Sequence, residues 1–246
     1  MHPLIEKPLK HAAGNMKETV PWEHPNRTPY NWLLYEISHQ FLVKFSGLVK
    51  GTLYDLGCGE MPYRDWLLGY ADRYIGVDWS NSPHDLKADI VANLNEALPI
   101  ENQVADSVIS LSVMEHLREP QLFLSEAHRI LKPGGAIILQ VPFMWWVHEA
   151  PHDYFRYTKY GLDYMFEKAG FSKIEVHPQT GFWTTWILKF NYQSARLIMG
   201  PWPIRKLMAI LMRAIWAVDQ RVAPWLDTRW PCEEETAGYF VVALKP

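Results

Sequence analysis

From residue 52 onward, short apolar runs rich in β-branched and aromatic residues alternate with stretches whose apolar positions recur at helical spacing. The runs predict strands at 52–56, 74–77, 90–92, 107–111 and 136–141. The clearest helix between them covers 119–131. Lys132-Pro133-Gly134-Gly135 then stops it, because neither proline nor a glycine pair continues a helix. A helix at 159–168 ending at Gly170, a strand at 172–177 and a last strand at 238–244 complete the series. Ahead of it, Trp32, Leu33, Tyr35, Ile37, Phe41, Leu42 and Phe45 mark a helix over 30–49. Strands that alternate with helices must bury both faces of their sheet, so the pattern predicts an α/β, doubly wound, mainly parallel fold.

Two regions break the alternation. Residues 1–28 hold Pro, His and Lys without a period and are expected to form a loose arm ahead of a single domain at 29–246. Residues 179–235 are too many for a bare loop, which predicts a helical insertion before the last strand. Within it Ile204, Leu207, Met208, Leu211, Ile215, Val218 and Val222 fall on one helical face, opposite Lys206, Arg213 and Gln220. That face is expected to cover the sheet edge or a substrate pocket. The sharper alternative is contact with an anionic membrane, since Arg196 to Arg229 hold six basic and two acidic residues.

Composition narrows the function. A net charge of −3 gives no general attraction to nucleic acid, and none is expected as a partner. The two cysteines, Cys58 and Cys232, lie far apart without metal-ligand spacing, so neither a disulfide framework nor a metal site is expected and a reducing cytoplasm fits. No apolar run of signal-peptide length opens the chain.

The densest chemistry begins at Leu53-Tyr54-Asp55-Leu56-Gly57-Cys58-Gly59-Glu60, a strand running into a turn with two glycines. Gly57 and Gly59 let the backbone approach a ligand at the strand's carboxyl end, the usual crevice of open α/β sheets. Glu60 would repel a pyrophosphate there, so a nucleotide lacking that group fits better. Asp55 suits a cationic amine, and Cys58 reads as a small packing residue. Asp78 ends the second strand where a carboxylate accepts from ribose hydroxyls, and Trp79 beside it offers an aromatic face.

Asp55-Leu56-Gly57-Cys58-Gly59 and Asp78 resemble the glycine-rich motif and ribose-binding acid of the seven-stranded, class I S-adenosylmethionine-dependent methyltransferases. The resemblance continues through Leu98-Pro99-Ile100, Asp106-Ser107-Val108-Ile109, Met114-Glu115-His116-Leu117 and Arg129-Ile130-Leu131-Lys132-Pro133-Gly134-Gly135, over roughly residues 50–180. It implies a seventh, antiparallel last strand and S-adenosyl-L-methionine as cofactor. In Ala92-Asn93-Leu94-Asn95 the family has Asp where this chain has Asn93, whose carbonyl can still accept from the adenine amine, with Leu94 beside it. Glu115 and His116 follow the fourth strand and either face the methyl group or merely start a helix.

After the fifth strand, residues 142–157 pack His148, Glu149, His152, Asp153 and Arg156 among six aromatic side chains. A hydroxyl acceptor must lose its proton, so His148 is the expected base with His152 in reserve. Asp153 or Glu149 would fix its tautomer. Arg156 would hold an anionic group, or else pair with Asp153 and pin the loop. The stretch His148 to Thr158 resembles a subgroup associated with bacterial surface-polysaccharide biosynthesis, which implies O-methylation of a glycan or glycolipid hydroxyl. Methylation of a small natural-product or quinone-type acceptor, and an inactive cofactor-binding interaction module, are the rival readings.

Overall fold

The computed structural model describes residues 24–80 and 87–246. Its elements run α1 (Trp32–Phe45), β1 (Thr52–Leu56), α2 (Arg64–Leu67), β2 (Arg73–Asp78), β3 (Ile90–Val91), β4 (Ala105–Leu111), α3 (Pro120–Ile130), β5 (Leu131–Pro142), α4 (Lys159–Lys168), β6 (Ser172–Pro178), α5 (Phe182–Arg196), α6 (Trp202–Arg229) and β7 (Gly238–Leu244). The seven strands form one sheet in the order β3-β2-β1-β4-β5-β7-β6, with β7 antiparallel to both neighbours.

β1 is buried at nearly every position because both of its faces are covered. Leu53 packs with Leu42, Phe45 and Leu67 of the α1–α2 layer, whereas Leu56 packs with Phe123, Leu124, Leu162 and Phe166 of the α3–α4 layer. β1 pairs in parallel with β2 on one side and β4 on the other, so the strand order reverses beside it. Crossovers leave that point toward opposite faces and open a crevice at the carboxyl ends of β1 and β4, where the Gly57–Gly59 turn sits.

Three expectations need correction. The arm falls mostly on residues 1–23, outside the described residues, while residues 24–28 turn toward α1, with the Thr28 N–H bonded to Asn31 Oδ1 at 2.6 Å. Lys132 to Gly135 does not separate α3 from β5: the strand starts at Leu131, and Gly134 takes φ +74° inside it. The apolar stripe of α6 covers neither sheet edge nor pocket. Ile204, Leu207, Leu211, Ile215, Val218 and Val222 are all exposed, and α6 instead buries Trp216, Gln220 and Ala223. Gln220 causes the inversion, because its amide is bonded to the Leu33 N–H and the Pro29 carbonyl and so draws that face toward α1. α5 and α6 leave and rejoin the sheet at a narrow neck, where the Gln179 N–H donates to the Gly238 carbonyl at 2.9 Å and Thr180 meets Thr236.

Candidate active site

The crevice at β1 and β2 is negative and tightly wired. Asp78 is buried, and its two oxygens accept from the backbone N–H groups of Gly59 and Trp79, each at 2.7 Å. It therefore couples the end of β2 to the turn after β1. Asp55 is buried beside it and accepts from the Tyr74 hydroxyl. Burial, with the nearby Asp78 charge, pushes the Asp55 carboxyl up to about 7 despite that hydrogen bond. Two carboxylates so placed suit a ligand with a cationic group and hydroxyl donors, and oppose a phosphate. Burial also raises the Cys58 thiol far above its usual range, which fits a packing residue and not a nucleophile.

Gly57 is also required by packing. Its φ is +85°, and a Cβ there would lie 2.3 Å from Cγ2 of Val113. The glycine therefore lets the turn after β1 pack on the segment after β4. Asn93 is tied into its own loop. Its carbonyl accepts from the backbone and side-chain N–H groups of Asn95, and its amide donates to Glu96, so it closes a local turn.

Val113 opens the 3₁₀ turn Met114–His116, and the acceptor loop is clamped to that turn. The Tyr154 N–H donates to the Glu115 carbonyl at 2.9 Å, and the Tyr157 hydroxyl donates to the Met114 carbonyl at 2.9 Å. This brings His148 opposite Glu115 and His116, which the sequence separates by a helix and a strand. His148 Nε2 lies 3.9 Å from Glu115 Oε1, and His116 Nε2 lies 3.7 Å from the same oxygen. Glu115 is fully buried and neither carboxyl oxygen has a hydrogen-bond partner. Burial pushes its carboxyl up to about 8.

Both rings are oriented by their other nitrogen. His116 Nδ1 is 2.5 Å from the His152 carbonyl, which only accepts, so Nδ1 carries the proton and Nε2 a lone pair. His148 Nδ1 faces Asp153 Oδ2 and the Trp146 carbonyl, each at 3.3 Å, which favours the same tautomer. Asp153 lies where it can hold that ring from behind. Burial opposes its charge, but hydrogen bonds from Arg156 and the His148 N–H outweigh burial and hold it at about 2.

Arg156 is fully engaged. It grips Asp153 through two nitrogens at 2.5 and 2.7 Å and donates to the Trp145, Trp146 and Phe155 carbonyls. It pins the loop and has no donor left for an acceptor's anion. His152 stands apart from Glu115, its ring 5.3 Å from Trp79 and its Nδ1 3.2 Å from the Tyr154 hydroxyl, so it joins the two halves of the site. Beyond Trp146 a cleft of about 500 Å³ runs along α5, lined by Met144, Trp186 and Phe190 with Lys189 and Arg196 among them.

Residues 54–139 match the family described as a methyltransferase domain. A probable S-adenosylmethionine-dependent methyltransferase of Mycolicibacterium smegmatis is 31% identical over 94 residues, 36% of this chain and 37% of that one. This chain spans less than half the length of the curated relatives it matches. Among solved structures, an S-adenosylmethionine-dependent methyltransferase from Mesorhizobium loti superposes with TM-score 0.54 at 15% identity, over 86% of this chain and 99% of that one. The [4+2]-cyclase SpnF superposes with TM-score 0.57 at 17% identity, over 92% and 85%. These likenesses establish the fold, and the fold hosts more than one chemistry, so the reaction is argued from the site.

Proposed function

We propose that this chain, whose residues 54–139 form an S-adenosylmethionine-binding methyltransferase domain, methylates a hydroxyl oxygen on a glycan or glycolipid intermediate. The cofactor supplies a methyl group already activated on a sulfonium. What remains for the protein is to align the acceptor and remove its proton. The observation that carries the reading is the convergence of Glu115, His116 and His148 on one point beside the cofactor crevice. A carbon nucleophile or an ionised oxygen would need no such group.

Asp55 and Asp78 would hold the cofactor's ammonium and ribose, and Trp79 would place its ring between cofactor and acceptor loop. Lys189 and Arg196 outweigh Glu235 in a cleft otherwise lined by aromatic and uncharged side chains, which suits an acceptor that joins a lipid tail to an anionic head. Incubation with methyl-labelled cofactor and cell-envelope extract should place label in a lipid-extractable glycan. A methyl ether survives mild alkali, whereas an ester does not. Label found only in alkali-labile esters, protein or nucleic acid would overturn the proposal.

Cofactor binding should depend on pH through Asp55. Its carboxyl titrates at about 7 in the free protein, and a facing ammonium favours the ionised form. Binding therefore expels a proton below that value. Affinity should be level above neutrality and fall by up to about tenfold per unit as pH drops through the titration. Calorimetry in buffers of different ionisation heat should detect the released proton, and a pH-independent Kd would remove Asp55 from this role.

The exposed α6 stripe supports a membrane-borne acceptor. No helix among the described residues is long and apolar enough to cross a membrane. Ile204, Leu207, Leu211 and Val218 nevertheless stand more than half exposed beside Trp202 and Trp225. The two acids of this region turn inward, Asp219 to Asn191 and Asp227 to the N–H groups at the start of α5, which leaves the outer surface basic. Apolar insertion and attraction to anionic headgroups then act together. The chain should sediment with phosphatidylglycerol-rich vesicles and not with phosphatidylcholine. Changing Leu207, Leu211 and Val218 together to Glu should abolish sedimentation. Wild-type protein left in the supernatant, or a stable dimer hiding this face, would refute it.

A further inference from the structure

Glu115 poses a problem that hydroxyl chemistry alone leaves unsolved. A buried carboxyl with no partner strongly resists ionisation. Even protonated, it reaches neither imidazole at 3.7 and 3.9 Å, beyond hydrogen-bond range. Glu115 itself is 0% exposed, so no acceptor contacts its carboxyl directly. What faces its oxygen is two ring nitrogens whose protons sit on the far side, held by the His152 carbonyl and by Asp153 with the Trp146 carbonyl. Three potential ligand atoms lie within 4.8 Å of one another and converge on one point that a cation can occupy.

We infer that Glu115 Oε1, His116 Nε2 and His148 Nε2 bind one divalent transition-metal cation of the zinc class. Two imidazoles and one carboxylate favour such an ion over magnesium or calcium, which prefer oxygen alone. Ligands at about 2.0–2.2 Å from a shared ion lie roughly 3.3–3.6 Å apart, so small side-chain shifts close the site. Imidazole ligands held from behind by carboxylate or carbonyl are the arrangement that fixes tautomer and raises basicity. Three protein ligands leave a position open, and His116 and His148 are the exposed members on the side of the acceptor loop. A hydroxyl bound at that position loses its proton more readily. The half-exposed Glu149 carboxylate, 3.8 Å from His116 Nε2, stands ready to take it. This catalytic role rests on the methyltransferase reading; binding of the cation does not.

The full chain, stripped with a chelator and dialysed, is titrated with Zn²⁺ by calorimetry and with Co²⁺ by visible absorption. One equivalent should bind, with the absorption of a low-symmetry nitrogen-oxygen site. Glu115→Gln keeps the shape of the side chain and removes its charge, and should lower affinity more than tenfold. His148→Ala should do the same, and Asp153→Asn should cost about 10–100-fold through loss of ring orientation. Melting temperature and cofactor affinity of each variant report whether it still folds. No stoichiometric binding, or binding indifferent to all three substitutions, would overturn the site. Full turnover after stripping would overturn its catalytic role, whereas failure to bind S-adenosylmethionine would sink the methyltransferase reading and leave the cation titration standing.

Discussion

Replacing His148 with alanine is expected to lower turnover by about 10²–10⁴-fold while cofactor affinity stays nearly unchanged. That loss corresponds to roughly 3–5 kcal/mol of transition-state stabilisation. It follows from position: His148 lies on the loop after β5, across Glu115 from the crevice that holds Asp55 and Asp78. The loop should keep its shape, because Asp153 bonds the His148 backbone N–H at 2.8 Å and Arg156 grips Asp153 independently. Only the imidazole is lost. His152→Ala should be milder on turnover and act on cofactor affinity, since that ring leans on Trp79. Single-turnover rates and cofactor Kd, measured on the same preparations, separate the two. A double variant of His148 and His152 with wild-type turnover would show that the acceptor needs no imidazole, and the hydroxyl reading would lose its mechanistic support.

Substitution Gly57→Arg should abolish cofactor binding. Any side chain there meets Val113 at 2.3 Å and must hold φ +85°, a combination of left-handed strain at about 1–2 kcal/mol and overpacking at about 1–3 kcal/mol. The turn must then move, carrying Gly59 away from Asp78. Asp78→Ala removes the other half of that link together with the ribose acceptors, each hydrogen bond being worth about 1–3 kcal/mol when buried. An affinity loss of about 10–100-fold is expected for it. Calorimetric titration with S-adenosylmethionine and its demethylated product decides the matter, with the melting curve as control. Unchanged affinity in both variants would move the cofactor elsewhere.

Periodicity located the sheet because its strands are apolar on both faces, and the bounds expected for β1, α4 and β7 coincide with those found. It failed where burial is polar. α5 buries Thr184, Thr185, Asn191 and Ser194 with Ile187 and Leu188, so its inner face is half polar and only a helical insertion, not this helix's bounds, was legible. α6 has a clean apolar period that points outward, while its buried side carries Trp216, Gln220 and Ala223, with Gln220 tied to α1 by hydrogen bonds. Asp55, Gly57, Gly59 and Asp78 stood out in the sequence because each lies at the carboxyl end of a strand or in the turn that follows it. Glu115 was ambiguous for the opposite reason. An acid after a strand looks like an ordinary helix start, and only the distant Tyr154 and His148 make it the centre of a site.

The neck at Gln179 and Gly238 has a consequence for how such proteins diversify. The two strands that flank α5 and α6 are already hydrogen-bonded neighbours, with Pro178 opposite Tyr239 at the point where the helices leave. A short hairpin could join them there without shifting any strand. The helical pair is therefore an interchangeable cassette: exchanging it would replace one wall of the cleft and the outward apolar surface together, while the cofactor crevice on the far strands stayed as it is. If that wall meets the acceptor and that surface meets a membrane, as proposed, exchanging the pair would change both at once.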